Sequence, residues 1–237
     1  MNAKTASPIG VVCDFDGTAT LLDIGDEVSR HFGGVAHWEA ERARFLSGEL
    51  NTRQIIRAIY TKVHANEAEV RAFAKQTARL RPGFAELVEA CRERGAPFIL
   101  ASGGLRQYVE AALESQLDPK LREHIELRAN EAHFGAPGAD FLHVTFPWEE
   151  RSRSMGCTDC GSCKRIAVAD LRERGVTLVI GIGDGFADRC LVEHADRAFA
   201  KAGSYLARHC AATGIAYEPF ESLAAAASGV RSHPSAS

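Results

Sequence analysis

No apolar run in this chain approaches the roughly 18 residues that a membrane-spanning helix requires, so a membrane is not an expected partner. Basic side chains are not in excess either. The 28 lysines and arginines against 31 aspartates and glutamates leave a formal charge of −3, which gives no cationic face for a nucleic acid. The segment Met1-Asn2-Ala3-Lys4-Thr5-Ala6-Ser7 lacks an apolar signal core, so a cytoplasmic location is expected. Internal repeats are absent. The seven cysteines are scattered and odd in number, which suits a reducing environment better than a disulfide framework. What remains is a chain of ordinary composition, 46% hydrophobic and 25% charged over 237 residues. That is enough for one large domain, or a core with a smaller insert, as a monomer or a homodimer.

Four short apolar runs read as interior strands of a parallel sheet: Ile9–Phe15, Pro97–Ala101, Thr177–Ile182 and Arg197–Ala200, with a weaker fifth at Ile215–Tyr217. Continuous rather than alternating apolar runs suit strands covered on both faces. Glu86–Arg94 and Ile166–Arg174 read as helices that stop at Gly95 and Gly175, each leading into the next strand. The repeated βαβ pattern predicts a doubly wound α/β fold. Between the first two strands lies a long helical stretch with caps expected at Asn51 and Asn66. It predicts a small helical cap domain over residues 25–80, inserted into a core formed by 1–24 and 81–237. A second insert, Ile125–Trp148, alternates polar and apolar residues around Gly135-Ala136-Pro137-Gly138 and predicts a β-hairpin. The tail Ser228–Ser237 is small and polar and is expected to fray.

Chemistry concentrates where the strands end. Asp14-Phe15-Asp16-Gly17-Thr18 follows the first apolar run, and alternate residues of a strand share a face, so Asp14 and Asp16 start out aimed the same way. Two carboxylates side by side repel each other and resist desolvation. A divalent cation relieves both, and oxygen-only ligands favour Mg²⁺. The second strand runs into Ser102-Gly103-Gly104, the third core strand into Gly183-Asp184-Gly185 with Asp188 one turn on, and Lys164 opens the preceding helix. In an open parallel sheet these positions meet at one edge. Carboxylates, a hydroxyl and an ammonium converging there suit phosphoryl transfer.

With these motifs in order, the chain resembles a phosphatase of the haloacid dehalogenase superfamily, in its phosphoserine-phosphatase-like group. The four motifs are Asp14–Thr18, Ser102, Lys164 and Gly183–Asp188. Within the group it is most similar to a methionine-salvage branch, through Cys13–Thr18, Phe146-Pro147-Trp148 and Cys160-Gly161-Ser162-Cys163-Lys164. Gly185-Phe186-Ala187 departs from that branch and is closer to phosphoethanolamine- and phosphocholine-type phosphatases. The resemblance implies a Rossmann-like core and a small phosphorylated metabolite as substrate, with phosphoserine also open. It implies Asp14 as nucleophile, Asp16 as general acid and base, and Lys164 as the neutralising cation. It places Ser102, Gly103 and Thr18 at the phosphoryl group, and Asp14, Asp16, Asp184 and Asp188 around the metal. Glu27, Arg30, Arg53 and Arg57 are candidate cap residues, each more readily read as surface.

Cys157, Cys160 and Cys163 form a C-x-x-C-x-x-C run directly before Lys164. Two such spacings suit a structural Zn²⁺, with His133, His143 or water as a fourth ligand. The other reading is a packed loop with free thiols.

Overall fold

Runs of consecutive apolar residues build the middle of a seven-stranded sheet in the computed structural model, which describes residues 7–135 and 142–233. The strands are β1 (Ile9–Cys13), β2 (Phe98–Leu105), β3 (Ile125–His133), β4 (His143–Thr145), β5 (Leu178–Gly183), β6 (Arg197–Lys201) and β7 (Tyr217–Phe220), in the spatial order β4-β3-β2-β1-β5-β6-β7. Every neighbouring pair is parallel except β3 and β4. β1 lies between β2 and β5 and is buried at all five positions. Its alternate residues serve opposite faces. Val11 and Cys13 join the larger core with Phe98, Leu100 and Phe199, whereas Val12 joins Ile99, Leu171, Val179 and Leu191 on the other side. This two-sided cover is why the run is apolar throughout.

Four helices lie between β1 and the return of the chain to the sheet at Arg81: α1 (Ile24–Gly33), α2 (Val35–Leu46), α3 (Thr52–Tyr60) and α4 (Glu67–Thr77). Asn51 and Asn66 cap α3 and α4 as expected, each in a reciprocal box with Gln54 or Glu69. The remaining helices are α5 (Phe84–Arg94), α6 (Arg106–Gln116), α7 (Pro119–Arg122), α8 (Glu149–Ser154), α9 (Lys164–Glu173), α10 (Arg189–Val192), α11 (Tyr205–Thr213) and α12 (Ala224–Ser232). None of the described helices is long and apolar enough to cross a membrane.

Two expectations are corrected. Ile125–His133 is the first arm of the expected hairpin only through Glu131–His133, which pair antiparallel with β4, and it is otherwise a member of the main sheet, paired in parallel with β2 at Phe98↔Ile125 and Leu100↔Leu127. Its polar residues break the apolar pattern, yet Arg128 and Asn130 are buried against partners rather than turned to solvent. Arg128 pairs with Asp170 at 2.6 Å, and Asn130 Nδ2 donates to the Gly103 carbonyl at 2.7 Å. Only β4 folds back antiparallel, at Ala132↔Val144, and the turn expected at Gly135–Gly138 falls largely outside the described residues. The tail is also more ordered than its composition suggested. α12 buries Ala226, Ala227 and Val230 in the same core as Leu87 and Val88 of α5, and residues 234–237 lie outside the described residues.

Where the chain returns from the four helices, Arg81 ties the first motif in place. Its buried guanidinium donates to the carbonyls of Thr18 (2.6 Å), Gly17 (2.7 Å), Thr20 (3.1 Å) and Glu221 (3.1 Å). The loop after β1 cannot form a ladder of its own, so these carbonyls depend on it. Replacing Arg81 by Met leaves them unsatisfied. The expected loss is about 3 kcal/mol of unfolding free energy in urea titration, and a loss below about 1 kcal/mol contradicts this role for Arg81.

Candidate active site

The main-chain N–H of Asp14 donates to the Ile182 carbonyl at 2.9 Å, extending the β1–β5 ladder by one residue. This fixes Asp14 at the carboxyl end of the sheet. The chain then turns sharply through Phe15–Ala19, with Gly17 at φ +75°. A Cβ on Gly17 would stand 2.6 Å from Asp184 Oδ2, so both the turn and the close approach of the fourth motif require glycine here.

Lys164 enters from the first turn of α9 and places its ammonium between Asp14 Oδ1 and Asp188 Oδ1. All three side chains are almost fully buried. Burial works against the charge on Lys164, but the two carboxylates outweigh it and hold the ammonium above its usual range. Burial and the neighbouring Asp188 carboxylate push Asp14 well up from its ordinary value, against the pull of Lys164. Asp188 spends its other oxygen on the backbone N–H groups of Asp184 (3.0 Å) and Gly185 (2.8 Å). Burial and Asp188 likewise push Asp184 up, opposed by Lys201 at 3.5 Å and by the Thr18 hydroxyl, which donates to Asp184 Oδ1 at 3.1 Å.

Asp14, Asp184 and Asp188 each offer a carboxylate oxygen within 4.8 Å of the others, the one such set of three or more ligand groups among the described residues. With Asp16, four carboxylates gather around the ammonium groups of Lys164 and Lys201, with the Arg81 guanidinium in electrostatic reach of Asp184. When all are ionised, the carboxylates outnumber these cations. A hard divalent cation fits both that charge and the all-oxygen donor set.

Asp16 is held apart from this crowd. Its Oδ2 accepts from Ser102 Oγ (3.0 Å) and Tyr108 OH (2.9 Å), and its Oδ1 accepts from the N–H groups of Ile24 (3.0 Å) and Gly25 (3.3 Å) at the start of α1. Burial raises it to about 6 despite these four donors. Ser102 Oγ also accepts from Gly104 N at 2.9 Å, so the hydroxyl is turned toward Asp16 here. Tyr108 needs Gly104 opposite it, since a Cβ there would sit 1.4 Å from its hydroxyl oxygen.

A cavity of about 310 Å³ opens over these groups, lined by Asp14, Asp16, Gly103, Lys164, Asp184 and Asp188 below and by α1–α3 above. Ser102 and Thr18 do not line it; they hold Asp16 and Asp184. The helices contribute Asp26, Trp38, Arg42, Phe45, Ile55, Ile56, Ile59 and Tyr60, and Asp23 and Phe186 complete the wall. Of these the sequence pointed only to Phe186, within the fourth motif, and it did not point to Tyr108. A signal was available only in the apolar run Ile55-Ile56, which spacing alone cannot tell from core. The four residues that were singled out on the helices lie elsewhere. Glu27 and Arg30 pair with each other at 3.2 Å, buried Arg53 pairs with Glu149 and the Thr158 carbonyl, and Arg57 stacks on Phe146.

The cysteine run is gathered differently from the zinc expectation. Cys160 and Cys163 are buried with Ile166, Cys157 is half-buried beside them, and the fourth thiol is Cys190, with its Sγ 3.8 Å from Cys163 Sγ. His133 and His143 sit together on the β3–β4 arm instead, their rings 6.1 Å apart. Among the described residues no compact set of metal ligands includes these thiols, so the structure lends zinc no support.

Residues 11–193 match the sequence model of the family described as haloacid dehalogenase-like hydrolase. The chain is 32% identical over 219 residues to the 2-hydroxy-3-keto-5-methylthiopentenyl-1-phosphate phosphatase of Bacillus cereus (strain G9842), covering 91% of this chain and 92% of that protein. To the enzyme of the same name from Exiguobacterium sp. (strain ATCC BAA-1283 / AT1b) it is 31% identical over 216 residues, covering 90% and 93%. Among solved structures, phosphoserine phosphatase from T. onnurineus superposes with a TM-score of 0.65 at 20% identity over 98% of both chains, which shows the shared fold. The motif order, the sheet that carries it and these likenesses agree: the chain belongs to the haloacid dehalogenase-like hydrolase family.

Proposed function

We propose that this chain is a Mg²⁺-dependent phosphomonoester hydrolase acting on a small phosphorylated metabolite, with residues 25–80 serving as the cap over its site. The observation that carries the reading is Lys164 seated between Asp14 and Asp188, with Asp184 in reach of both. Asp14 attacks phosphorus, forming an oxygen–phosphorus bond as the ester bond to the leaving group breaks. Asp16 gives the leaving alkoxide its proton, then takes one from the water that hydrolyses the aspartyl phosphate and restores Asp14. Lys164 balances the charge on Asp14 before attack and on the phosphoryl oxygens during it. Gly103 and the Ser102 hydroxyl, once released from Asp16, bind the remaining oxygens. Asp14, Asp184 and the main-chain carbonyl of Asp16 would hold a Mg²⁺, which when bound would supply charge neutralisation for the transferring group. Asp188, with both oxygens engaged, keeps Lys164 and the Asp184 loop in place.

The wall above the phosphoryl site favours a neutral, partly apolar leaving group. Ile55, Ile56, Ile59, Phe45 and Phe186 supply apolar surface. Arg42 is the one cation among the described lining residues besides Lys164, and it is stacked on Trp38. Asp23 and Asp26 would oppose the carboxylate of phosphoserine. The substrate named for the bacterial relatives, 2-hydroxy-3-keto-5-methylthiopentenyl 1-phosphate, meets these conditions. A second reading, phosphoethanolamine or phosphocholine, is favoured by the pairing of Asp23 and Asp26 with aromatic walls.

Asp14→Asn is expected to lower turnover about a thousandfold while far-UV circular dichroism stays unchanged; a variant keeping a tenth of the activity refutes the nucleophile assignment. The pH profile tests Asp16. Its proton is needed for a poor leaving group and is lost as pH rises through about 6. The kcat/KM for an alkyl phosphate should therefore fall relative to that for p-nitrophenyl phosphate between pH 5 and 8; a constant ratio counts against Asp16 as the acid.

The same shift governs stability. A carboxyl raised from 3.8 to about 6 binds its proton more tightly in the folded state. Its stabilising contribution is full below pH 3.8 and disappears as pH rises through about 6. The metal-free protein should lose melting temperature from pH 5 to 7 more steeply than Asp16→Asn, and added Mg²⁺ should raise it more at pH 7.5 than at pH 5. Equal slopes in the two proteins, with no metal effect at either pH, contradict the electrostatic picture.

A further inference from the structure

The third motif and the fourth each end beside a thiol. Cys163 immediately precedes Lys164, and Cys190 follows Asp188 by two residues, on the first turn of α10. The two sulfurs are 3.8 Å apart, in van der Waals contact and unbonded. Cys190 is half-buried and Cys163 buried, so a small oxidant reaches Cys190 first. No step of the proposed hydrolysis uses either side chain. The Cys160 thiol lies within hydrogen-bond reach of both, and Met155 and Trp148 add soft apolar surface around the cluster, separate from the larger core.

We propose that Cys163 and Cys190 form a peroxide-oxidisable dithiol, a modification site whose closure to a disulfide disables the acidic centre. The Cys190 sulfur attacks one oxygen of hydrogen peroxide, breaking the O–O bond and leaving a sulfenic acid and one water. The Cys163 sulfur then displaces that oxygen as a second water, forming the S–S bond. The two sulfurs together lose two electrons, the peroxide gains them, and both thiol protons leave in water. A disulfide holds its sulfurs about 2 Å apart, so closure draws the start of α9 toward the start of α10. Lys164 and Asp188 ride on those two segments, and their ion pair sets where the ammonium meets Asp14. A displacement of about 1 Å there is enough to lower turnover up to a hundredfold. The activity consequence rests on the proposed hydrolysis; the cross-link itself does not.

The test treats reduced, full-length protein with a slight excess of hydrogen peroxide and maps its peptides without reductant. The expected result is one peptide pair joined through Cys163 and Cys190, with p-nitrophenyl phosphate hydrolysis reduced at least tenfold and restored by dithiothreitol. Cys190→Ser should keep its activity through the same treatment; Cys190→Ala replaces it where the serine variant melts below the parent. Thiols that stay free, that oxidise only to sulfinic or sulfonic acid, or that join Cys160 to Cys157, Cys163 or Cys190 instead overturn the proposal. So does zinc retained at one equivalent with all the thiols unreactive. A cross-link formed in a protein with no phosphatase activity to lose supports the dithiol and refutes instead the hydrolase reading. A cross-link formed with activity unchanged overturns the link to the acidic centre.

Discussion

Everything at the carboxyl edge of this sheet depends on holding several carboxylates closer together than they would choose. Asp14, Asp184 and Asp188 bring ligand oxygens within 4.8 Å of one another, and burial denies them most of the water that would screen their repulsion. The fold meets this with a single buried ammonium between two of them, with backbone N–H groups on the fourth motif's Asp188, and with Lys201 at the rim. An excess of negative charge remains, and it is that excess which makes the site suited to a divalent cation and an incoming phosphoryl group.

The scaffold explains how such a cluster survives folding. β1 and β5 are buried parallel neighbours, so Asp14 and Asp184 leave the sheet side by side with little backbone freedom. Arg81 secures the turn after β1 at the point where the chain comes back from the helical insert. Asp16 bridges the two parts of the molecule, accepting from Ser102 and Tyr108 on one oxygen and from the first turn of α1 on the other. Any movement of α1 relative to the sheet therefore changes the surroundings of the group proposed to carry the proton.

Much of this was legible in the sequence for one physical reason: residues at strand ends in a parallel sheet are brought together by topology, whatever lies between them. Hence Asp14, Asp184, Asp188 and Lys164 could be placed from order and spacing alone, as could the capping asparagines. Tyr108 could not, because a tyrosine on a helix reads as core until its hydroxyl is seen on Asp16. β3 reads as an insert because Arg128 and Asn130 break its apolar pattern, and their partners Asp170 and Gly103 lie far along the chain. The resemblance places Ser102 and Thr18 at the phosphoryl group, and in this structure their hydroxyls donate to Asp16 and Asp184, partners that lie far along the chain. The cavity wall on α2 and α3 was hidden for a similar reason, since Phe45, Ile55 and Ile59 have the same spacing whether they line a pocket or fill a core.

The most direct test is chemical trapping of the covalent intermediate. Protein turning over p-nitrophenyl phosphate in Mg²⁺ is quenched with sodium borohydride, which reduces an acyl phosphate to the alcohol, and its peptides are sequenced by mass spectrometry. Reduction at Asp14, dependent on both substrate and Mg²⁺, is the expected result. Reduction at another carboxylate, or none at all while phosphate is released at the full rate, contradicts the claim that Asp14 takes up the phosphoryl group.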